Sequence, residues 1–132
     1  MKKIKKTEQE WQNNLTEEQF SVLRKCATEA PGSGKYYHFN GNGTYLCAAC
    51  GNELFNSENK YDSGSGWPSF DRPNSKSTVE ERLDTSHGRE RTEVICARCE
   101  SHLGHVFDDG PATTGLRYCI NSLALEFNEE DK

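Results

Sequence analysis

The chain has 132 residues, enough for one domain whose core buries roughly two-thirds of the unfolded surface. Only 33% of the residues are hydrophobic and 28% are charged, which indicates a polar protein whose small core needs a further stabilising link. With 16 Lys and Arg against 21 Asp and Glu, the net charge of -5 argues against DNA or RNA as the main partner.

The first residues, MKKIKK, resemble the charged start of a signal peptide, but the polar sequence TEQEWQNN follows where an apolar segment would be required. No apolar run approaches the length of a membrane span. We therefore expect a cytoplasmic protein without membrane contact, or the mature form of an organelle protein. In a reducing compartment, paired cysteines favour metal or redox chemistry over structural disulfides.

The N-terminal part is predicted to be helical. Residues 1–10 are polar and expected to be flexible. A helix is predicted over 16–29, with Thr16 as its N-cap and Gln19 as the capping-box partner. Cys26 lies beside the apolar stripe of this helix.

The rest of the chain, about 34–127, is predicted to be β. YYHF and TYLC are predicted to form a hairpin that turns at two Asn-Gly pairs. ELF, the stretch around Val79, RTEVIC and RYCINSLALEF are further predicted strands, separated by clusters of Gly, Pro, Asn and Asp. We expect a single domain over 1–132, in which a short helical N-terminus precedes antiparallel sheets.

Four of the six cysteines lie in two Cys-x-x-Cys pairs, TYLCAACGNELF and EVICARCESHL, each at the end of a predicted strand. Two thiols at this spacing can face one ion across a tight turn, and Gly51 permits the positive φ that such turns often use. Four thiolates complete a tetrahedral zinc shell and leave no open position. The sequence therefore predicts one structural zinc ion bound by Cys47, Cys50, Cys96 and Cys99.

Two other interpretations use the same four cysteines. Thioredoxin-like redox pairs normally open a helix in a βαβ unit, and neither pair here does so. A rubredoxin-type iron centre has the same ligand set as the zinc site, so iron stays an alternative.

Cys119 stands outside both pairs, in the sequence GLRYCINSLALEF. If this stretch is one strand, Arg117, Cys119 and Asn121 share a face. An arginine beside a thiol lowers its pKa and favours the nucleophilic thiolate. The pattern is typical of a reactive cysteine, although an inert cysteine next to a solvent-facing arginine fits it equally well.

Further polar and aromatic residues supply what a reactive thiol could use. In SHLGHVFDDGP, His102 and His105 share a face only if the chain turns between them, which Gly104 allows, and Asp109 follows. Trp67 lies in the Gly-rich stretch YDSGSGWPSF, where a tryptophan packs as a plug more often than it binds a ligand. A thiol nucleophile, an aromatic wall and proton donors together suit the reduction of a sulfoxide.

The motifs CAACG, GSGWPSF, RTEVICARCESHLGHVFDDGP and GLRYCINS resemble those of the B-type methionine sulfoxide reductases, which are specific for the R epimer at sulfur. The resemblance runs from about Thr28 to Phe127 and is most specific between Ile95 and Ser122. It implies two antiparallel β-sheets, partly open and barrel-like, with short N-terminal helices. It also implies a structural zinc on the two cysteine pairs, as in many members of the family.

Position by position, the resemblance implies that Cys119 is the catalytic nucleophile, which forms a sulfenic acid and releases methionine. It implies that Trp67 receives the methyl group of the substrate. The polar residues that it matches to sulfoxide binding, water orientation and tuning of the thiol are His102, His105, Asp109, Arg117 and Asn121. Which histidine donates the proton stays open.

One position departs from the family pattern. Many members have Cys-Gly-Trp-Pro-Ser-Phe, in which the cysteine attacks the sulfenic acid, whereas this chain has Ser65 there. A hydroxyl cannot resolve a sulfenic acid, and Cys26 is the spare thiol. We expect Cys26 to be the resolving cysteine; the alternative is an inert Cys26 and direct attack of a reductant on Cys119.

The resemblance further implies oxidised methionine, free or in protein, as the substrate and thioredoxin as the reductant. We expect a monomer. Two other functions stay open on the residues alone: a zinc-ribbon module that binds a partner without catalysis, and a redox sensor that uses Cys26 and Cys119.

Overall fold

The computed structural model describes residues 3–75, 77–85, 88 and 90–129. Within these residues, two short helices precede nine strands that form two antiparallel sheets. The prediction of a mainly β fold with short N-terminal helices is confirmed. Residues 1 and 2 of the segment expected to be flexible, and 130–132 of the expected domain, lie outside the described residues. Neither described helix has the length and apolar character needed to cross a bilayer.

Each helix begins at a threonine capping box. Helix α1 spans Glu8–Asn14 and helix α2 spans Glu17–Lys25. At α2 the prediction is confirmed: the Thr16 hydroxyl accepts a hydrogen bond from the Gln19 backbone N–H, and the Gln19 side chain accepts one from the Thr16 N–H. These bonds satisfy groups that a helix N-terminus leaves without intrahelical partners.

The structure corrects two predictions at the N-terminus. Helix α1 begins inside the segment 1–10, because Trp11 is only 1% exposed and anchors the helix to the core. The helix predicted over 16–29 ends at Lys25, because Cys26 adopts the left-handed conformation with φ of 58°. The chain therefore leaves the helix axis at Cys26.

The strand bounds, in chain order, are β1 Gly43–Cys47, β2 Glu53–Asn56, β3 Lys60–Tyr61, β4 Ser69–Phe70, β5 Val79–Asp84, β6 Arg91–Cys96, β7 His102–Phe107, β8 Arg117–Ile120 and β9 Leu125–Glu129. The smaller sheet has the order β2-β1-β9, and the larger sheet has the order β3-β4-β8-β7-β6-β5. The strands predicted at ELF, around Val79 and at RTEVIC are confirmed as β2, β5 and β6.

The predicted hairpin between YYHF and TYLC is wrong. Residues 36–38 form a turn and a bend, residue 39 is irregular, and β1 pairs with β2 and β9 instead. Tyr36 and Phe39 pack edge to face with ring centroids 5.4 Å apart, and Phe39 lies 4.7 Å from the ring of Phe127. Ring packing thus buries Tyr36 and partly buries Phe39, without strand pairing.

RYCINSLALEF is also not a single strand. β8 ends at Ile120, a 3-10 helix spans Ser122–Ala124, and β9 continues in the other sheet. The break at Asn121 transfers the chain from the larger sheet to the smaller one. The shared face expected along 117–127 therefore does not extend past β8.

Aromatic side chains join the two sheets directly behind the candidate site. Tyr45 of β1 packs edge to face on Phe70 of β4 at 5.2 Å, and Phe55 of β2 stacks on Phe70 at 4.4 Å. All three residues are fully buried. Phe70 follows Ser69, which pairs with Cys119 on β8, so the core fixes the strand next to the lone cysteine.

Candidate functional site

The two Cys-x-x-Cys pairs meet where β1 and β6 end. Cys47 Sγ lies 3.7 Å from Cys99 Sγ, and Cys50 Sγ lies 3.6 Å from Cys96 Sγ. Metal–sulfur bonds of about 2.3 Å in a tetrahedron place the sulfur atoms about 3.8 Å apart. The four sulfurs therefore fit one metal ion, which would connect the smaller sheet to the larger one.

Hydrogen bonds among the four thiols divide the cluster into two kinds of group. They lower the pKa of Cys96 and Cys99, and they raise the pKa of Cys47 and Cys50. Asn52 Nδ2 adds a further donor, 3.6 Å from the Cys96 sulfur. Two of the four sulfurs therefore favour the thiolate form that binds metals, and the charge of a bound ion would be needed to deprotonate the other two.

A second site lies around Cys119 in the larger sheet. Ser69 of β4 and His105 of β7 lie opposite Cys119 in the two neighbouring strands. Residues directly opposite each other in antiparallel strands have side chains on the same face. Gly104 permits the close approach of β7 and β8, since a Cβ there would overlap the Cys119 carbonyl oxygen. Sheet pairing thus places the thiol between a hydroxyl and an imidazole.

The two histidines share one face of β7. The register between β6 and β7 shifts at Leu103, which is an extra residue in β7 and forms a β-bulge. The bulge shifts the alternation of side chains by one, and the rings of His102 and His105 lie 5.4 Å apart. From the sequence, the two histidines share a face only if the chain turns between them, as Gly104 allows; in the structure the bulge at Leu103 brings them together.

Each histidine binds a carboxylate from the β5–β6 hairpin. His102 Nδ1 lies 2.6 Å from Glu93 Oε2, and His105 Nε2 lies 2.8 Å from Asp84 Oδ2. Burial lowers the pKa of His102, although Glu93 opposes this effect. Such carboxylate contacts fix the orientation of an imidazole ring.

The guanidinium of Arg117 is held on two sides. Its Nε lies 2.9 Å from Asp109 Oδ1 and its second terminal nitrogen lies 3.1 Å from Oδ2, a bidentate ion pair. Its Cζ lies 4.5 Å from the centroid of the Phe107 ring. The ion pair raises the pKa of Arg117, so the group beside Cys119 is permanently charged.

Burial raises the pKa of the Cys119 thiol above its ordinary value. The Ser65 hydroxyl and the charge of Arg117 lower it, but by less. The effect of the arginine predicted from the sequence is therefore present and smaller than that of burial. The resting form of Cys119 near neutral pH is the thiol.

A cavity of about 240 Å³ contains the Cys119 side chain. Of the other residues singled out in the sequence, its lining includes Ser65, Trp67, His105, Arg117 and Asn121. Sequence reasoning missed three further lining residues, Thr28, Arg91 and Phe107. The Trp67 indole is held in place because its Nε1 donates a hydrogen bond to the Glu29 carbonyl, at 3.1 Å.

Three of the predicted catalytic residues do not line this cavity: Cys26, His102 and Asp109. Asp109 acts on the cavity through Arg117, and His102 lies against His105. Cys26 is exposed, with its Sγ 3.9 Å from Glu93 Oε2. Burial and the carboxylates of Glu93 and Asp84 raise the pKa of Cys26.

Three serine hydroxyls lie on the side of the cavity formed by the Gly-rich loop and β4, close to the Cys119 thiol. Ser65 Oγ lies 4.0 Å from Cys119 Sγ. Ser63 Oγ lies 2.8 Å from Ser65 Oγ and 2.6 Å from Ser69 Oγ, so the three hydroxyls form a connected network. Ser65 is thus adjacent to Cys119. This is the expected place for it, because the motif resemblance matches Ser65 to a cysteine that attacks the sulfenic acid.

The side chain of Asn121 is engaged by backbone groups. Its Oδ1 accepts a hydrogen bond from the Glu29 N–H, and its Nδ2 donates one to the Leu103 carbonyl, each at 3.0 Å. Asn121 is only 3% exposed. It therefore connects the segment after α2 to the β-bulge that orients the histidines.

The carboxylate partners could not be found from the sequence. Asp84 and Glu93 lie in the predicted β region, and only the register of β5, β6 and β7 brings them to the two histidines. Phe107 could have been found from the motif HVFDDGP, because it is an aromatic residue directly before two aspartates.

A half-buried cysteine with a fixed cation, an imidazole and an indole around one small cavity is the arrangement of a thiol-based oxidoreductase. The SelR domain family matches residues 15–129. A protein of Hahella chejuensis is 53% identical over 131 residues, covering 99% of this chain and 94% of the relative. Relatives from Bradyrhizobium diazoefficiens and Chromohalobacter salexigens are 58% and 57% identical, covering 94% and 96% of this chain and 89% and 96% of their own lengths.

All three relatives bear the name peptide methionine sulfoxide reductase MsrB. The chain belongs to the SelR domain family, that of the MsrB-type reductases. The family resemblance found in the sequence motifs is therefore confirmed.

Proposed function

We propose that this protein reduces the R epimer of methionine sulfoxide, free or in proteins, to methionine, with Cys119 as the nucleophile. The observation that carries the proposal is the placement of Cys119 in one cavity with Trp67, His105 and Arg117. The name shared by the relatives supports the substrate, and the motif resemblance supports the R epimer.

In the proposed reaction the Cys119 sulfur attacks the sulfur of the sulfoxide. The attack forms a bond between the two sulfurs while the sulfoxide oxygen gains a proton. The sulfur–sulfur and sulfur–oxygen bonds of this intermediate then break, the hydroxyl passes to Cys119 to give a sulfenic acid, and methionine leaves. One oxygen atom passes from methionine sulfoxide to the thiol, so this step needs no other reductant. The Trp67 indole offers an apolar surface for the methyl group of the substrate.

A proton must move during this step, because the thiol has to lose one and the departing oxygen has to gain one. We assign the transfer to His105, which lies opposite Cys119 and lines the cavity, whereas His102 does not. Arg117 stabilises the negative charge that develops on sulfur or oxygen. Asp109 and His102 support these two groups from outside the cavity.

Recycling requires a second thiol. In the proposed recycling steps, the Cys26 thiolate attacks the Cys119 sulfenic acid, a disulfide forms and water leaves. The dithiol of thioredoxin then reduces this disulfide. Cys26 lies outside the cavity, but Thr28, two residues further along the chain, lines it. A movement of the segment after α2 would bring Cys26 to Cys119.

The four-cysteine metal is proposed to be zinc, because four sulfur donors at these separations suit a closed structural zinc site. Its role would be to hold the two sheets together, with no part in the redox step. We further propose that the protein acts as a monomer in the cytoplasm, where thioredoxin is available.

A single-turnover experiment tests the proposed function. Reduced wild-type protein, mixed with excess R sulfoxide in the absence of reductant, should release one methionine per chain and acquire a disulfide between Cys26 and Cys119. Cys26→Ser should release the same methionine, and a sulfenic-acid trapping reagent should label Cys119. Absence of methionine, or labelling at another residue, would refute Cys119 as the nucleophile. Turnover of Cys26→Ser with thioredoxin at the wild-type rate would refute Cys26 as the resolving cysteine.

A further inference from the structure

Cys26, Glu93 and His102 form a second cluster of metal-binding side chains, apart from the four cysteines. One ligand atom from each of them lies within 4.8 Å of the others. The cluster gathers residues from the end of α2, from β6 and from β7, so the tertiary fold assembles it. It combines a sulfur, a nitrogen and an oxygen donor.

The distances suit insertion of a small cation. His102 Nδ1 lies 2.6 Å from Glu93 Oε2, which lies 3.9 Å from Cys26 Sγ. In a tetrahedral zinc site, bonds of about 2.3 Å to sulfur and about 2.0 Å to nitrogen and oxygen separate these ligand atoms by about 3.3–3.6 Å. Shifts of less than about 1 Å would therefore create the coordination geometry. Cys26 is exposed, which gives an ion a path to the cluster.

The local charge also favours a cation. The carboxylates of Glu93 and Asp84 both act on the Cys26 thiol, and the C-terminal end of α2 adds partial negative charge from its last carbonyl groups. Two arginines near the cluster are bound to other groups. Arg24 donates to the Cys99 carbonyl and to Ser101, and Arg91 lies 3.4 Å from Asp84.

We propose that Cys26, Glu93 and His102 bind a second, exchangeable zinc ion, with water in the fourth position. Mixed sulfur, nitrogen and oxygen donors with one open position suit zinc, whereas magnesium and calcium prefer oxygen ligands alone. A bound ion would hold the Cys26 thiolate and prevent its attack on the Cys119 sulfenic acid. This consequence rests on the proposed function, but metal binding itself does not.

The binding is tested in Cys119→Ser, which keeps the cluster and removes both the other unpaired thiol and the proposed activity. After dialysis against buffered free zinc, metal analysis should find two ions per chain in Cys119→Ser. The double variants with Cys26→Ser or Glu93→Gln should retain one ion. Zinc should also slow alkylation of Cys26 in Cys119→Ser by at least tenfold, and a chelator should restore the rate.

Two results would overturn the proposal. One is a single ion per chain in Cys119→Ser together with unchanged alkylation of Cys26. The other is a second ion that persists in the Cys26→Ser double variant. Because the parent variant lacks the nucleophile, neither result depends on whether the protein reduces sulfoxides.

Discussion

His105 on β7 and Cys119 on β8 lie directly opposite each other in neighbouring antiparallel strands. The relationship between the imidazole and the thiol is therefore set by sheet pairing, which holds side chains more rigidly than loops do. Gly104 makes it possible, because its missing side chain lets the two strands approach. The cavity around Cys119 is built on the larger sheet, and Trp67 lines it from a loop.

Arg117→Gln should raise the pKa of Cys119 further above its ordinary value. The arginine charge favours the thiolate and opposes burial, so its removal leaves the effect of burial uncompensated. The rate of Cys119 alkylation by iodoacetamide, followed by mass spectrometry as a function of pH, should inflect at higher pH than in the wild type. Arg82→Gln, which removes an exposed arginine paired with Glu100, is the control and should leave the profile unchanged. An unchanged profile in Arg117→Gln would show that the charge does not reach the thiol.

Ser65→Cys should introduce a new resolving cysteine. Ser65 Oγ lies 4.0 Å from Cys119 Sγ, so rotation of the two side chains can bring the sulfurs to the bond length of about 2.05 Å. In a Cys26→Ser background, Ser65→Cys should lose two free thiols after one turnover and should turn over with thioredoxin. Ser65→Ala in the same background should do neither. Loss of only one thiol after methionine release, with Cys119 left as a sulfenic acid, would contradict resolution from this position.

Asn121→Ala should destabilise the protein. Its side chain bonds the Glu29 N–H and the Leu103 carbonyl, and a buried polar group without a partner costs about 1–3 kcal/mol. We expect the free energy of unfolding to fall by about 2–4 kcal/mol, measured by denaturant titration. Asn128→Ala, at an exposed position of β9, should change it by less than about 0.5 kcal/mol. Equal effects of the two substitutions would mean that the Asn121 bonds contribute nothing specific.

Removal of the metal from the four-cysteine site should unfold the protein. Structural zinc contributes about 10–16 kcal/mol in small domains, which is comparable to their whole stability. A strong chelator should abolish the cooperative thermal transition, and Cys50→Ser should lower the melting temperature sharply. Cys26→Ser, which leaves the four ligands intact, is the matched control. A metal-free protein with an unchanged melting temperature would refute the structural role.

Local motifs predicted the four-cysteine cluster and the strands β1, β2, β5 and β6, but not β3, β4 or β7. Each Cys-x-x-Cys pair carries its own geometric signal, and stretches such as RTEVIC have the composition of strands. Helix α1 was missed because EQEWQNN has one large apolar residue, and the burial of Trp11 depends on the rest of the fold. In this helix, tertiary contacts of Trp11 determine the structure more than the local sequence pattern does.

The features that orient the site depend on pairing between distant segments. The bulge at Leu103 appears only in the register of β6 with β7, and it determines that both histidines face the same way. The break at Asn121 is invisible in an apolar stretch that continues on both sides. Burial of Cys119, which outweighs the charge of Arg117 on the thiol pKa, follows from the assembled cavity.

Cys119 is the residue proposed to reduce the R sulfoxide. Turnover of the separate R and S epimers of a methionine sulfoxide substrate, with dithiothreitol as reductant, tests it most directly in wild type and Cys119→Ser. We predict turnover of the R epimer by the wild type alone, and none of either epimer by Cys119→Ser. Equal activity of the two proteins, or activity on the S epimer only, would contradict the account.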